Sequence, residues 1–348
     1  MSQAAGYLVL EDGTVFRGRS VAAAGATFGE AVFTTAMGGY QETVTDPSFA
    51  GQIICFTAPM IGNYGVDDAR LEAPLPHAKG VVMRRLGGAA WAEWLAERGL
   101  VALDEIDTRA LTLRLREAGA MRAAIVADER ALPSAAALEA VLASPAMTGA
   151  ALVAQVSTPQ EYVAHAEGRV RVGLVDYGAK RSIVTRLAAA GAAVTLFPHL
   201  PDPDALAACD GVLLSNGPGD PEPLVHEVEA IRATLGRVPI LGICLGHQLL
   251  GLATGHTTFK LPFGHRGANH PVLDRAASRV LVTSQNHGFA VAPTEAREAT
   301  HVSLYDGTVE GLDFPELRAA SVQFHPEAGP GPHDSWPILE RWVEGLGR

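Results

Sequence analysis

Residues 238 to 255 read VPILGICLGHQLLGLATG. Val238 to Ile243 is a short apolar run and predicts a buried strand, while Leu245, Leu249 and Leu252 recur at helical spacing beyond it. Cys244 therefore stands where a strand turns into a helix. Gly242 and Gly246 flank it as Gly-x-Cys-x-Gly, the thiol counterpart of the Gly-x-Ser-x-Gly nucleophile elbow, in which missing Cβ atoms allow a very tight turn. A helix N-terminus favours thiolate over thiol, and such a turn aims the sulfur out of the sheet. An isolated cysteine in an apolar run is commonly a small buried hydrophobe. The two glycines and the change of periodicity at that residue argue for a nucleophile instead.

Strands and helices alternate around this stretch. RVGLVDYG (171–178) predicts a strand ending in a turn, KRSIVTRLAAAG (180–191) a helix closed by Gly191, and AAVTLFP (192–198) a second strand. GVLLSNGPGDP (211–221) then precedes a helix over 224–235. That alternation implies right-handed crossovers and a mostly parallel sheet with helices on both faces, an α/β fold. Ligands gather beyond the carboxyl ends of such strands, where Asn216-Gly217-Pro218-Gly219 and Cys244 both fall.

The 348 residues suggest two domains as a prior. We read 1–130 as an N-terminal domain of mixed α and β character, 131–168 as a linker carrying one short helix at Leu138 to Leu142, and 169–348 as the α/β domain. In the first, Asp12-Gly13 predicts a hairpin between Tyr7–Leu10 and Thr14–Arg19. Trp91–Arg98 and Thr108–Ala118 read as helices. Residues 38–52 read as a polar surface loop. A net charge of −11 with scattered basic residues gives no surface for nucleic acid. Three cysteines, an odd number in a long chain, argue for a reducing compartment rather than a disulfide framework. The N-terminus lacks a signal-peptide pattern and no run is apolar enough to span a membrane, so a soluble, cytoplasmic protein is expected.

A thiolate needs a proton acceptor that later becomes a donor, and imidazole suits that task near neutrality. His325 follows a strand-like run, Ala320–Phe324, and Glu327 comes two residues later. Extended geometry through Pro326 would put both on one face, the carboxylate steering the ring. His247, one helical turn beyond Cys244, is the rival imidazole, and spacing does not exclude it. For an oxyanion the natural donors are the backbone amides of Leu245 and the Gly217–Gly219 loop, although those glycines fit a plain turn equally well. Gln248 returns to the helix face of Cys244. Asn286-His287-Gly288-Phe289 reads as a rim loop or as a hairpin turn.

Taken together, GICLGHQ (242–248), SNGPGDP (215–221), QNHGFAV (285–291) and QFHPE (323–327) resemble the triad class of glutamine amidotransferases. GYQETVTDPSFAGQI (39–53), APMIGNYG (58–65), VDYGAKRSI (175–183) and FGHRGANHPV (263–272) are similar to the small subunit of carbamoyl-phosphate synthetase, in the expected order over nearly the whole chain. The resemblance implies a flavodoxin-like class I amidotransferase domain after the N-terminal domain. It implies Cys244 as nucleophile, His325 as general base and acid, and Glu327 as its orienting partner. It also implies that Ser48, Gly217, Gly219, Leu245, Gln248, Asn286, Gly288 and Phe289 bind L-glutamine, which overturns the surface-loop reading for Ser48. Ammonia would pass through a tunnel to a large synthetase subunit making carbamoyl phosphate from bicarbonate and ATP for arginine and pyrimidine synthesis. The partners implied are that large subunit, as a heterodimer or a tetramer of heterodimers, and neither nucleic acid nor membrane. No cofactor or metal is expected in this subunit; ATP and a divalent metal belong to the large one. Pro262 and Ala268, where Lys and Gly are expected, and Ser335-Trp336 depart from the family pattern. These departures are expected to bear on subunit contacts and not to touch the triad.

Overall fold

The computed structural model describes residues 5–293 and 299–347 and divides into two compact units, one reaching Thr148 and including Pro262–Arg266, the other covering Gly149–Leu261 and Gly267 onward. In the first unit seven strands close a barrel in the order β1-β2-β6-β5-β4-β3-β7. They are β1 (Ala5–Leu10), β2 (Val15–Ser20), β3 (Ala26–Thr34), β4 (Gln52–Phe56), β5 (Gly80–Val82), β6 (Val101–Asp104) and β7 (Met121–Val126). Around Asp12-Gly13 the chain turns with Gly13 at φ 85°, and β1 pairs antiparallel with β2, Leu8 opposite Phe16. β3, β4, β5 and β6 run parallel, joined by crossovers that include helices Tyr40–Thr45 and Ala89–Glu97. Closure leaves no sheet edge to protect in this barrel.

One expectation fails in this unit because buried apolar residues override polar composition. Residues 38–52 are not a surface loop: Tyr40–Thr45 is a helix, Pro47–Phe49 a 3-10 turn, and Tyr40, Val44 and Phe49 anchor the segment in the core beside Trp91. In the segment 131–168, read as a linker with one short helix at Leu138 to Leu142, that helix is longer at its N-terminal side. Ser134–Ala143 is a helix whose Ala137 and Val141 pack with Tyr7, Val9 and Val126, and the division between units falls at Thr148.

The second unit holds a sheet of ten strands, ordered β14-β13-β15-β16-β17-β12-β11-β9-β10-β8. These are β8 (Tyr162–His165), β9 (Val170–Val175), β10 (Ala192–Phe197), β11 (Gly211–Leu214), β12 (Ile240–Ile243), β13 (Thr258–Asp274), β14 (Arg279–Val291), β15 (Ala299–Ser303), β16 (Val309–Phe314) and β17 (Ala319–Val322). The neighbours β10, β9, β11, β12 and β17 are parallel, and antiparallel strands extend the sheet on both sides. The parallel strands read as continuous apolar runs because helices cover both faces. Val212, Leu214 and Ile240 pack with Leu245 and Leu249 in one cluster, while Leu174, Leu213 and Ile243 pack with Ile183, Leu187 and Leu339 in another. The adjacent carboxyl ends of β9, β11, β12 and β17 lead into Asp176, Ser215, Cys244 and the segment before His325. Among the described residues no helix is long and apolar enough to cross a membrane.

Candidate active site

β12 ends at Ile243 and the helix Leu245–Ala253 begins at once, with Cys244 between them at φ 53°, ψ −103°. A left-handed φ is costly for a residue with a Cβ and persists only where the surroundings fix it. Here Cys244 N–H donates to Val322 O at 2.9 Å, Gly246 N–H to Ser215 O at 3.0 Å and Gln248 N–H to Cys244 O at 3.1 Å. The two flanking glycines serve close approach rather than unusual dihedrals. A Cβ on Gly242 would lie 2.6 Å from Gly246 O, and one on Gly246 would lie 2.2 Å from Leu214 O. Cys244 is buried, and its Sγ donates to Asn286 O at 3.5 Å. Leu245 opens the helix, so its N–H is among the first-turn amides that have no intrahelical acceptor.

His325 arrives from β17 and is fixed by its N–H donating to Ser284 O at 2.9 Å. The chain is not extended through Pro326, contrary to the sequence expectation. Ala328 N–H donates back to His325 O at 3.2 Å, closing a turn in which Ala328 takes φ 52°. Within that turn His325 Nδ1 donates to Glu327 Oε1 at 2.7 Å. With Nδ1 so committed, Nε2 is the nitrogen left for chemistry. It makes no hydrogen bond at ordinary geometry among the described residues, but the Cys244 sulfur interacts with the ring. Burial opposes a charged His325, yet Glu327 and then Cys244 outweigh it and raise its pKa to about 10.

Glu327 has a second partner that sequence reasoning missed. Lys180 Nζ donates to the same Oε1 at 2.9 Å, and both side chains are almost fully buried. Burial works to raise the Glu327 pKa; Lys180 first and His325 second overcome it and bring the pKa down to about 2. The turn carrying Lys180 is tied to the Ser215-Asn216 loop, because Asn216 Oδ1 accepts from Lys180 N–H at 3.2 Å and Asn216 Nδ2 donates to Gly178 O at 2.9 Å. The available signal was a lysine at the first turn of a helix, where the helix dipole disfavours a cation. Lys180 is the N-cap of helix Arg181–Ala189.

His247 does not compete for the thiol. Its Nδ1 lies 2.8 Å from Ser321 Oγ, and burial, helped by His256 and His301, lowers its pKa to about 3, so the ring is neutral. Gln248 Nε2 donates to Phe289 O at 2.7 Å and to Gln323 Oε1 at 3.1 Å, which leaves its Oε1 to meet a ligand. Asn286, Gly288 and Phe289 are not in a loop or hairpin turn; they lie inside β14, kept extended by cross-strand pairing. Gly217 lies against Tyr177 O, where a Cβ would sit 2.3 Å away, and Gly219 adopts φ 93°. Ser48 lies in the 3-10 turn of the first unit, its N–H donating to Asp46 Oδ1 at 2.9 Å. Cys55 is a buried hydrophobe in the first unit, and desolvation pushes its thiol up to about 12. All three cysteines are free thiols.

The departure at Ser335-Trp336 does touch this group. Trp336 Nε1 donates to Glu327 O at 3.2 Å, and Ser335 Oγ donates to Pro326 O at 3.5 Å. Helix Trp336–Leu346 starts with Pro337 in its first turn and is seated by Leu339 and Val343 against Ile183 and Leu187, which brings the indole to the Glu327 turn.

Residues 8–125 match the family described as carbamoyl-phosphate synthase small chain, CPSase domain, and residues 173–344 match glutamine amidotransferase class-I. The chain is 46% identical to the carbamoyl phosphate synthase small chain of Xanthomonas campestris pv. campestris, the alignment covering 97% of each. It is 42% identical to the protein of that description from Staphylococcus saprophyticus, over 97% of this chain and 95% of the relative. For the Xylella fastidiosa protein of that description the identity is 44%, over 97% of this chain and 96% of the relative.

Proposed function

The chain belongs to the carbamoyl-phosphate synthase small-chain family, a glutamine-hydrolysing amidotransferase subunit with a class I domain, and from that premise we propose that it acts through a Cys244 thioester. His325 takes the thiol proton, and Cys244 Sγ attacks the side-chain carboxamide carbon of L-glutamine. Backbone amides at Leu245 and in the Gly217–Gly219 loop stabilise the developing oxyanion, one such donor being worth about 3 to 4 kcal/mol in the transition state. The C–N bond breaks as His325 gives its proton to the leaving nitrogen. Ammonia departs and the γ-glutamyl thioester remains. Water then attacks the acyl carbon as His325 accepts its proton, the C–S bond breaks, and glutamate leaves. Glu327 holds the ring throughout, with Lys180 keeping that carboxylate ionised.

Gln248 Oε1, Asn286, Gly288 and Phe289 are assigned to glutamine binding, as is Ser48 on the strength of its sequence motif. Ammonia goes to a large chain that consumes bicarbonate and ATP, with its own divalent metal, to make carbamoyl phosphate for arginine and pyrimidine synthesis. The pair works as a heterodimer or a tetramer of heterodimers in the cytoplasm.

The observation carrying this reading is the shared Glu327 oxygen, 2.7 Å from His325 Nδ1 and 2.9 Å from Lys180 Nζ, beside a cysteine held in an elbow. An electrophilic glutamine analogue is expected to label Cys244, read by peptide mass spectrometry. With the large chain added, Cys244→Ser is expected to abolish glutamine-dependent synthesis and spare synthesis from free ammonia. Labelling elsewhere, or equal loss of both syntheses, contradicts the reading.

A further inference from the structure

Glu327 is gripped at both ends by elements that share one helix. Lys180, at the N-terminus of Arg181–Ala189, holds the carboxylate. Two turns along, the Arg186 guanidinium carbon lies 3.7 Å from the centroid of the Trp336 ring, whose Nε1 donates to the Glu327 carbonyl at 3.2 Å. His333 also stacks on Trp336, with ring centroids 3.5 Å apart and planes at 21°. The residue after Glu327, Ala328, sits at φ 52°, a conformation that a residue with a Cβ keeps only when neighbours impose it. The turn therefore needs external fixing, and the indole N–H is aimed at its carbonyl.

We propose that Trp336 is a positioning residue for glutamine hydrolysis: its N–H fixes the Glu327 backbone, and hence the approach of that carboxylate to His325, while Arg186 keeps the ring in register. The inference rests on the amidotransferase reading for its kinetic consequence but not for its geometry. The charged and titratable groups facing His325 are Glu327 and Cys244, with Lys180 behind the carboxylate; Arg186 and His333 face the indole. A carboxylate that meets the ring less well supports the imidazolium less, so loss of the indole donor lowers the affinity of His325 for its proton.

The test uses the full chain and two variants. Trp336→Phe keeps an aromatic ring and removes the donor; Arg186→Gln keeps the donor and removes the cation stacked on it. For Trp336→Phe, kcat for glutamine is expected to fall about fivefold, the effect of one net hydrogen bond, with KM little changed. The alkaline limb of the pH profile is expected to move to lower pH, and Arg186→Gln to move it less in the same direction. Alkylation of Cys244 by iodoacetamide, followed against pH by peptide mass spectrometry, is expected to shift likewise. If Trp336→Phe retains the wild-type kcat and both wild-type profiles, or changes KM alone, the proposal is overturned. Should that variant not fold, Arg186→Gln decides: a shifted profile upholds the proposal and an unshifted one overturns it. A wild-type chain without glutaminase activity would count against the amidotransferase reading, whereas the alkylation profiles would still decide the role of Trp336.

Discussion

One oxygen of Glu327 accepts from two cations, and that sharing fixes how the site responds to pH and to substitution. Burying charge is costly, so removing one partner from such a group leaves an uncompensated charge and costs about 3 to 5 kcal/mol. Lys180→Met is therefore expected to lower the free energy of unfolding by about 3 kcal/mol, measured by urea titration near neutrality. The pH dependence has a definite sign. The depressed Glu327 pKa adds stability above its ordinary value, and that contribution fades as pH falls toward about 2. The raised His325 pKa adds stability below its ordinary value, and that contribution is lost as pH climbs through about 10. In Lys180→Met the acid-side loss is expected to be smaller and to be complete at higher pH, because the largest influence holding Glu327 down has gone. Urea midpoints of the variant and wild type that stay parallel from pH 3 to 7 would contradict this account.

The elbow is an element whose geometry depends on two missing methyl groups. Gly246 and Gly251 sit five residues apart in helix Leu245–Ala253, so the same substitution tests packing against propensity. An alanine methyl at Gly246 would meet the Leu214 carbonyl oxygen at 2.2 Å, and a strand backbone inside a parallel sheet has nowhere to move. At Gly251 the methyl would meet Val291 Cγ2 at 3.0 Å, a side-chain contact that yields by a few tenths of an ångström. Gly246→Ala is expected to lose soluble protein or at least 100-fold in glutaminase rate, about 3 kcal/mol in barrier. Gly251→Ala is expected to stay within about 1 kcal/mol of wild type, since helix propensity offsets the contact. Equal melting temperatures for the two would remove the steric argument for the elbow. The elbow was legible in the sequence because strand, turn and helix signals are local and contiguous. The pairing of His325 with Glu327 was legible too, being two residues long, although the backbone that makes it is a turn and not a strand. Lys180 lies 147 positions from Glu327, and no local pattern announces a contact that only the side-by-side placement of β9, β11, β12 and β17 creates. Trp336 was visible only as a departure, and its hydrogen bond depends on how a terminal helix seats against another. The burial of 38–52 was hidden for a different reason: its polar residues are held inside by Tyr40, Val44 and Phe49, which are too few to set a periodicity.

Across the whole molecule, apolar burial is organised in separate cores, and stability should be organised likewise. Trp91 is tilted against Tyr40 and stacked on Trp94, with centroids 4.7 and 5.2 Å apart, within one cluster of the first unit. In the second unit two clusters line the faces of the parallel strands. Each unit exceeds the size at which a domain buries enough surface to fold with its own transition. The free thiols supply a reporter in each. Cys55 is buried in a core of the first unit, and Cys209 is packed against Gly173 in the second, its Sγ 3.1 Å from where a Cβ would stand. Trp91→Ala removes a fully buried aromatic ring and is expected to cost about 3 to 5 kcal/mol. In a urea series read by pulse alkylation and mass spectrometry, that loss should lower the midpoint for labelling Cys55 and leave the midpoint for Cys209 nearly unchanged. A common midpoint for both thiols, moving together in the variant, would make the chain one cooperative body, and the separate cores would then carry no separate stability.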